Sequence, residues 1–399
     1  MNRQITVRAE KEAYTMASVL LCMAFVLTIA VGLHPFQASP FNSYTLQALA
    51  WRQGQTALAQ DVPHLELAIY QGRYFVSFPP VPSVPIYVLS FIFGANLPDG
   101  LLVKLYALIA FFALNRLLRR AAWRPWPAAV AAFLLCTASS MLPLLLSGAV
   151  WYQAQVMAFM FTCLAANAVH AGRPTCGLFF FALGVGCRPF NVLFGPLLIF
   201  LYLLTPNCRT VLLKQKLKAL VPGILLGLCV AAVYGWYNDI RFNNPFEFGH
   251  SYLPEFSSQG GQQFALWHIA RNAPTFVWGL PFDWEQGTLT LKRFGFSLFL
   301  ANPILLLLVY WGLQDAVQKK ISALKALTLG ICLLHLLLLL THRTFGGFQY
   351  GARYAVDVIP YAAIYAALEG WEYGFGKPSL FLMALGLGLS VWGSIVLPL

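Results

Sequence analysis

Apolar residues run in long blocks along this chain, separated by short polar or basic interruptions. The blocks at 14–33, 101–118, 126–146, 155–170, 220–237, 294–313, 321–340 and 380–397 approach the length of about 20 residues that crosses a hydrocarbon layer. Shorter apolar stretches lie at 84–93, between 170 and 205, and at 358–367. Arg188-Pro189 divides the middle one, and proline cannot continue a helix ladder, so two short helices meeting at a turn are expected there. Residues 84–93 are followed by Gly94, Asn96 and Pro98 and read as an interfacial or re-entrant helix. The pattern predicts an all-α polytopic membrane protein with about eleven transmembrane helices.

Charge gives this pattern a direction. Arg3, Arg8 and Lys11 precede the first block, which is too long for a signal peptide and lacks a small-residue cleavage site. It is expected to stay as a first helix with the N-terminus in the cytoplasm. Arg116, Arg119, Arg120 and Arg124, then Arg209, Lys214, Lys216 and Lys218, mark cytoplasmic loops by the positive-inside rule. The polar segments 35–98, 238–293 and 341–357 then become a first, second and third outer loop on one integral membrane domain covering 1–399. In the first, residues 43–58 space Leu46, Leu49 and Ala50 as an amphipathic juxtamembrane helix would. A pore would place polar residues at matching depths in several spans, and a transporter would show paired broken helices in two similar halves. Neither pattern is visible.

Composition narrows the class further. Hydrophobic residues make up 59% of the chain and charged ones 10%, far from a soluble domain. The net charge of +12 arises from the loop clusters rather than from a basic stripe with interleaved aromatics, which argues against nucleic acid as a partner. The eight cysteines include no CxxC pair and read as small buried hydrophobes, with neither a disulfide framework nor a zinc site.

Three outer segments carry the candidate chemistry. ELAIYQGRYFVSFPP (66–80) contains Glu66 and Arg73, a turn-forming Gly72, and a Pro pair that forces extended chain. YNDIRFNNPFEFGHSYLPEF (237–256) contains Arg241, His250 and Glu255. FGGFQYGARYAVDVIP (345–360) contains Gln349, Tyr350, Arg353 and Asp357. Between them lies Arg188, an ionisable residue within an apolar hairpin and therefore a functional candidate by default.

In this order the motifs resemble those of bacterial GT-C superfamily glycosyltransferases, the polytopic enzymes that use polyprenyl-phosphate sugars, in particular the protein O-mannosyltransferase and aminoarabinose transferase group. The resemblance comprises a first helix and long outer loop, Gly-Arg-Tyr followed by Pro-Pro, and a mid-chain Arg-Pro. Arg-Phe-x-x-Pro-x-x-Phe-Gly and a late Gly-x-Arg-Tyr before a terminal helix pair complete it. It implies sugar transfer on the outer face of the bacterial inner (plasma) membrane, periplasmic or extracellular, from a polyprenyl-phosphate-linked sugar to a glycan, lipid or protein acceptor. The family places an acidic residue soon after the first helix, as base or metal ligand. Here Asn42 and Ser43 stand in that stretch, so Glu66 or Asp61 takes the role or catalysis is lost.

Glycosyl transfer needs a base near the acceptor hydroxyl and positive charge near the departing phosphate. Glu66 and Asp61 are the catalytic candidates. Arg188, Arg353 and Arg73 are the candidates for the donor phosphate, since a guanidinium fork matches a pair of phosphate oxygens. Asn42, Tyr74, Arg241, His250, Glu255, Gln349, Tyr350 and Asp357 are substrate-binding candidates. Each has a structural alternative: Glu66 paired with Arg73, Arg188 satisfying carbonyls at the Pro189 kink, Arg353 paired with Asp357, and His250 with Glu255 in loop hydrogen bonds. Trp51, Tyr70, Tyr74, Trp236, Tyr252, Trp267, Trp278 and Trp284 have the ordinary explanation of an interfacial belt. His64, His250 and His342 lack metal-site spacing, so no metal ligands are assigned, and a divalent cation such as Mg2+ or Mn2+ stays open. A non-catalytic carrier or flippase for lipid-linked sugars, itself in contact with membrane lipid, is the alternative function.

Overall fold

The computed structural model describes residues 2–204, 211–257, 262–285, 287–344, 346–369 and 376–397. Cys208, Arg209 and Phe345 of the sequence motifs lie outside them. In chain order the helices are α1 (Asn2–Ala30), α2 (Ser43–Arg52), α3 (Ser83–Phe93), α4 (Asp99–Arg120), α5 (Pro125–Thr137), α6 (Met141–Leu144), α7 (Val150–His170), α8 (Pro174–Val185) and α9 (Phe194–Leu204). There follow α10 (Leu213–Phe242), α11 (Pro254–Ser257), α12 (Trp267–Trp278), α13 (Leu298–Ala301), α14 (Ile304–Val317), α15 (Ala323–Leu340), α16 (Ile359–Glu369) and α17 (Lys377–Val396). Two antiparallel hairpins interrupt this helical pattern, β1–β2 (Leu67–Tyr70, Arg73–Val76) and β3–β4 (Phe282–Glu285, Thr288–Leu291).

Among the described residues, five helices are long and apolar enough to cross a membrane: α1 from Glu10, α4, α10, α15 and α17. α7 is as long, at 21 residues, and is the most enclosed, with α4, α8 and α9 packed around it. α10 is the opposite case: Leu225, Leu228, Val233 and Trp236 face outward, as on a lipid-facing helix.

Several predicted spans are shorter than the apolar pattern implies. The block 126–146 divides into α5 and α6 because Ser140 N–H donates to Asn302 Oδ1 (2.9 Å) and Ser139 C=O accepts from Ser390 Oγ (2.9 Å). These distant partners satisfy the backbone groups freed by the break. The block 294–313 divides at Asn302-Pro303 into α13 and α14, where proline has no N–H to offer the ladder. Pro189 separates α8 from a 3-10 turn, Pro189–Leu193, that leads into α9. The chain is mostly helical, but the two hairpins mean that it is not purely α.

Several charged side chains inside the bundle are paired with polar groups from other elements. Lys104 donates to Leu145 C=O (3.0 Å) and Gly100 C=O (3.3 Å), and Asp99 accepts from Ser39 N–H (3.0 Å). Lys325 reaches Asp315 Oδ2 (2.9 Å) and pairs with Glu369, while Tyr365 donates to the same Asp315 oxygen (2.6 Å). That cluster joins α14, α15 and α16. The cysteines divide: Cys136, Cys163, Cys187 and Cys332 are buried, whereas Cys22, Cys176 and Cys229 are exposed, correcting the expectation that all are core residues.

Candidate active-site cavity

The β1–β2 hairpin turns through Gln71 and Gly72, both at positive φ (49° and 71°), with Tyr70 opposite Arg73. Such left-handed pairs match the twist of a two-residue hairpin. Closing the hairpin brings Glu66, just before β1, beside Ser77, just after β2, and Ser77 Oγ donates to Glu66 C=O (2.8 Å). Arg241 at the end of α10 anchors this base by donating to Val76 C=O (3.0 Å) and Asn238 Oδ1 (2.7 Å). The segment expected to be a stiff loop is therefore a hairpin, held by a buried guanidinium.

Beside it lies a cavity of about 820 Å³ whose lining includes Glu66, Arg188, His250, Glu255, His342 and Arg353. The hairpin base, the start of α7, the Pro189 break, the 3-10 turn His250–Tyr252 with α11, and the chain before α16 all contribute to it.

Glu66 is half-buried, and Trp151 Nε1 donates to its Oε2 at 2.8 Å. The Trp151 ring packs against Phe41 at 5.2 Å. Glu66 makes no ion pair with Arg73, which lies exposed near Phe75, away from the cavity lining.

Arg188 does not satisfy carbonyls at the kink. Its Nε and Nη2 donate to Asp357 Oδ2 (3.0 and 2.8 Å), and its guanidinium lies 4.9 Å from the Tyr354 ring centre. Arg353 is 5% exposed and lies 5.3 Å from the same ring and 5.4 Å from that of Tyr152. Its expected pairing with Asp357 is not formed, because Asp357 is taken by Arg188. Among the described residues Arg353 has no carboxylate within ion-pair reach, and its buried Nε has no hydrogen-bond partner. Asp357 Oδ1 is likewise buried without one. Two guanidinium groups thus flank one tyrosine ring, and only one of them is neutralised.

On another wall, the His250 ring lies 5.0 Å from Phe256 and 6.0 Å from His342. Burial, His342 and Arg188 together push the His250 pKa down to about 4, so the ring is neutral at physiological pH. Burial and the nearby Glu66 push the Glu255 carboxyl up, against the pull of Arg343. Phe264 lies 5.1 Å from His342 and Phe190 lies 5.5 Å from Phe264, extending this wall as an aromatic surface.

The remaining sequence candidates are not in the cavity lining. Asp61 is exposed. Asn42 caps α2 through its carbonyl, which accepts from Thr45 and Leu46 N–H, and Tyr74 C=O accepts from Leu58 N–H (2.8 Å). Gln349 Oε1 accepts from Arg353 N–H (3.1 Å), and Tyr350 packs on Phe296. Sequence reasoning did not single out Trp151, Ser77, Phe41, Phe190 or Phe264 as site residues. Only the position of Trp151, directly after the SGAV turn, hinted that it stands at the mouth of a helix. Among the described residues no group of three His, Cys, Asp or Glu side chains could hold a metal ion.

No protein-family model matches the sequence, and no curated protein matches it. Solved structures do match in fold. ArnT from Cupriavidus metallidurans, solved bound to undecaprenyl phosphate, aligns over 93% of this chain and 62% of its own, with 12% identity and a TM-score of 0.54. The oligosaccharyltransferase of Archaeoglobus fulgidus, in its apo form, aligns over 97% of this chain and 56% of its own, with 13% identity and a TM-score of 0.55. This chain thus spans less than two thirds of the length of either. Both are glycosyltransferases of the GT-C superfamily, and the chain has their membrane fold.

Proposed function

We propose that this chain is a GT-C membrane glycosyltransferase that moves a sugar from a polyprenyl-phosphate donor to a glycan, lipid or protein acceptor. The active face is the periplasmic or extracellular side of the bacterial inner membrane. The observation that carries this reading is a cavity with Arg188 and the unneutralised Arg353 beside one ring, and Glu66 on the same lining. Undecaprenyl phosphate in the ArnT structure supports a lipid phosphate as the ligand for those cations.

In this mechanism the acceptor oxygen attacks the anomeric carbon as the bond from that carbon to the phosphate oxygen breaks. The bonding pair leaves with the lipid phosphate, where Arg188 and Arg353 stabilise the added charge. The acceptor proton passes to the Glu66 carboxylate. Trp151 holds Glu66 Oε2, which leaves Oε1 to take the proton. The aromatic wall and the neutral His250 offer stacking and hydrogen bonding to a sugar. No step is routed through a metal.

The carrier reading draws support from Asn42 and Ser43, neutral where the resemblance expects an acid. The two separate on incubating purified protein with an isotope-labelled polyprenyl-phosphate sugar and a crude acceptor extract. Label should move to the acceptor with native protein and not with Glu66→Gln. Donor binding without any transfer would support the carrier.

A further inference from the structure

We infer that Asp357 sets the charge preference of the anion site, so that it accepts a lipid phosphodiester and releases a lipid phosphomonoester. This rests on the donor reading above. Arg188 and Arg353 supply two positive charges around Tyr354, and Asp357, bound to Arg188 through Oδ2 alone, removes one. Arg188, Arg353 and Asp357 together are left with a single net positive charge, with Arg353 5% and Asp357 4% exposed. The Glu66 and Glu255 carboxyls on the same lining offer a second anionic charge no compensation. A sugar linked through phosphate to a polyprenol is a phosphodiester with one negative charge, which this site neutralises. The lipid product is a monoester whose second ionisation lies at about pH 6, so it carries close to two negative charges at neutral pH. Burying its second charge without a counter-charge incurs a desolvation penalty. Transfer itself therefore converts a matched ligand into a mismatched one, which favours product departure. Asp357 acts through Arg188 and is a positioning residue for charge rather than a catalytic one.

The test is competitive displacement on the full chain with two probes, a short-chain polyprenyl phosphate and its monomethyl ester. At pH 8 the wild-type protein should bind the methyl ester at least about tenfold more tightly. That preference should shrink at pH 5.5, where the monoester takes up a proton. His250, His335, His342, Tyr44 and Tyr361 all couple to Arg188 or Asp357. Protonation of any of them draws in a dianion more strongly than a monoanion, so the pH comparison reads ligand and site together, and the comparison of variants at fixed pH 8 isolates Asp357. Asp357→Asn should abolish or reverse the preference at pH 8, and Asp357→Glu should retain it. If Asp357→Asn does not fold, Asp357→Ser, which also removes the charge, takes its place in the same pH 8 comparison. Equal or tighter monoester binding by the wild type at pH 8, or a retained preference in folded Asp357→Asn, overturns the assignment. Binding of neither probe overturns the donor reading along with it.

Discussion

Trp151, in the first turn of α7, donates its indole N–H to Glu66 Oε2 at 2.8 Å and so ties the hairpin carboxylate to the most enclosed helix of the bundle. The bond joins residues 85 positions apart and fixes one oxygen of a carboxylate on the cavity lining. A carboxylate held this way loses rotamer freedom before substrate arrives, which is what a base at a reacting hydroxyl requires.

The first prediction follows from that bond. Glu66→Gln keeps the shape and the acceptor oxygen for Trp151 but cannot take a proton, so turnover should fall by roughly 10²–10⁴-fold with donor affinity nearly unchanged. Trp151→Phe removes only the tether, and its turnover should fall by about tenfold, given the strength of hydrogen bonds to charged groups. Asp61→Asn, exposed and outside the cavity, should stay within about twofold of native. Steady-state transfer assays on the three variants check this, and a dead Asp61→Asn beside a near-normal Glu66→Gln would move the base.

Arg353 offers a second, with opposite signs for stability and function. It is a buried cation with no ion-pair partner among the described residues, so it lowers the stability of the ligand-free protein. Arg353→Met should therefore raise the thermal midpoint of the ligand-free protein in detergent while abolishing the further rise caused by polyprenyl phosphate. Arg353→Lys should keep part of that ligand effect, because it retains charge but not the planar fork. A fall in midpoint for Arg353→Met would mean that the guanidinium stabilises the fold.

The helical blocks were legible because apolar periodicity is a local property of the chain, as were the Pro189 break and the Gly72 turn. The breaks within 126–146 and before α14 were less so. The first depends on Asn302 and Ser390 meeting Ser139 and Ser140, contacts between residues far apart in sequence. The β3–β4 hairpin was hidden for another reason: it lies in a mixed polar segment without strict alternation. At the cavity, residue chemistry pointed to Glu66, Arg188, His250, Glu255 and Arg353, all of which line it. Which acid pairs with which arginine was not readable, since Asp357 lies four residues from Arg353 yet bonds Arg188, 169 positions away. Arg241 was hard to place for a similar reason, because a charged residue in an aromatic loop looks the same whether it meets substrate or a strand carbonyl.

Arg241 is accordingly predicted to be structural. Its removal leaves Val76 C=O and Asn238 Oδ1 without their donors at a buried position. Each unsatisfied group costs about 1–3 kcal/mol, so Arg241→Met should lower the thermal midpoint markedly. The rise produced by polyprenyl phosphate should persist at temperatures where the variant is folded. A loss of that ligand effect with an unchanged midpoint would place Arg241 at the substrate instead.

The last prediction concerns acid. His250 has a pKa of about 4 in the folded protein, lowered by burial and by the charges of His342 and Arg188, against about 6.5 for an unperturbed imidazole. Below pH 6.5 the unfolded chain therefore binds a proton at this residue that the folded protein refuses. The stability contributed by keeping His250 neutral is fully present above about pH 6.5 and is lost progressively as pH falls toward about 4, below which the loss levels off. His342, also shifted downward chiefly by burial, adds to the same slope. His250→Gln removes the titrating group while keeping a polar side chain, so its thermal midpoint should fall less than that of the native protein between pH 6.5 and 4. The two curves should run parallel from pH 7 to 8, where neither state takes up a proton at this position. Parallel curves across the acid range as well would mean that His250 is readily protonated in the folded state. The neutral imidazole on the aromatic wall would then have to be abandoned.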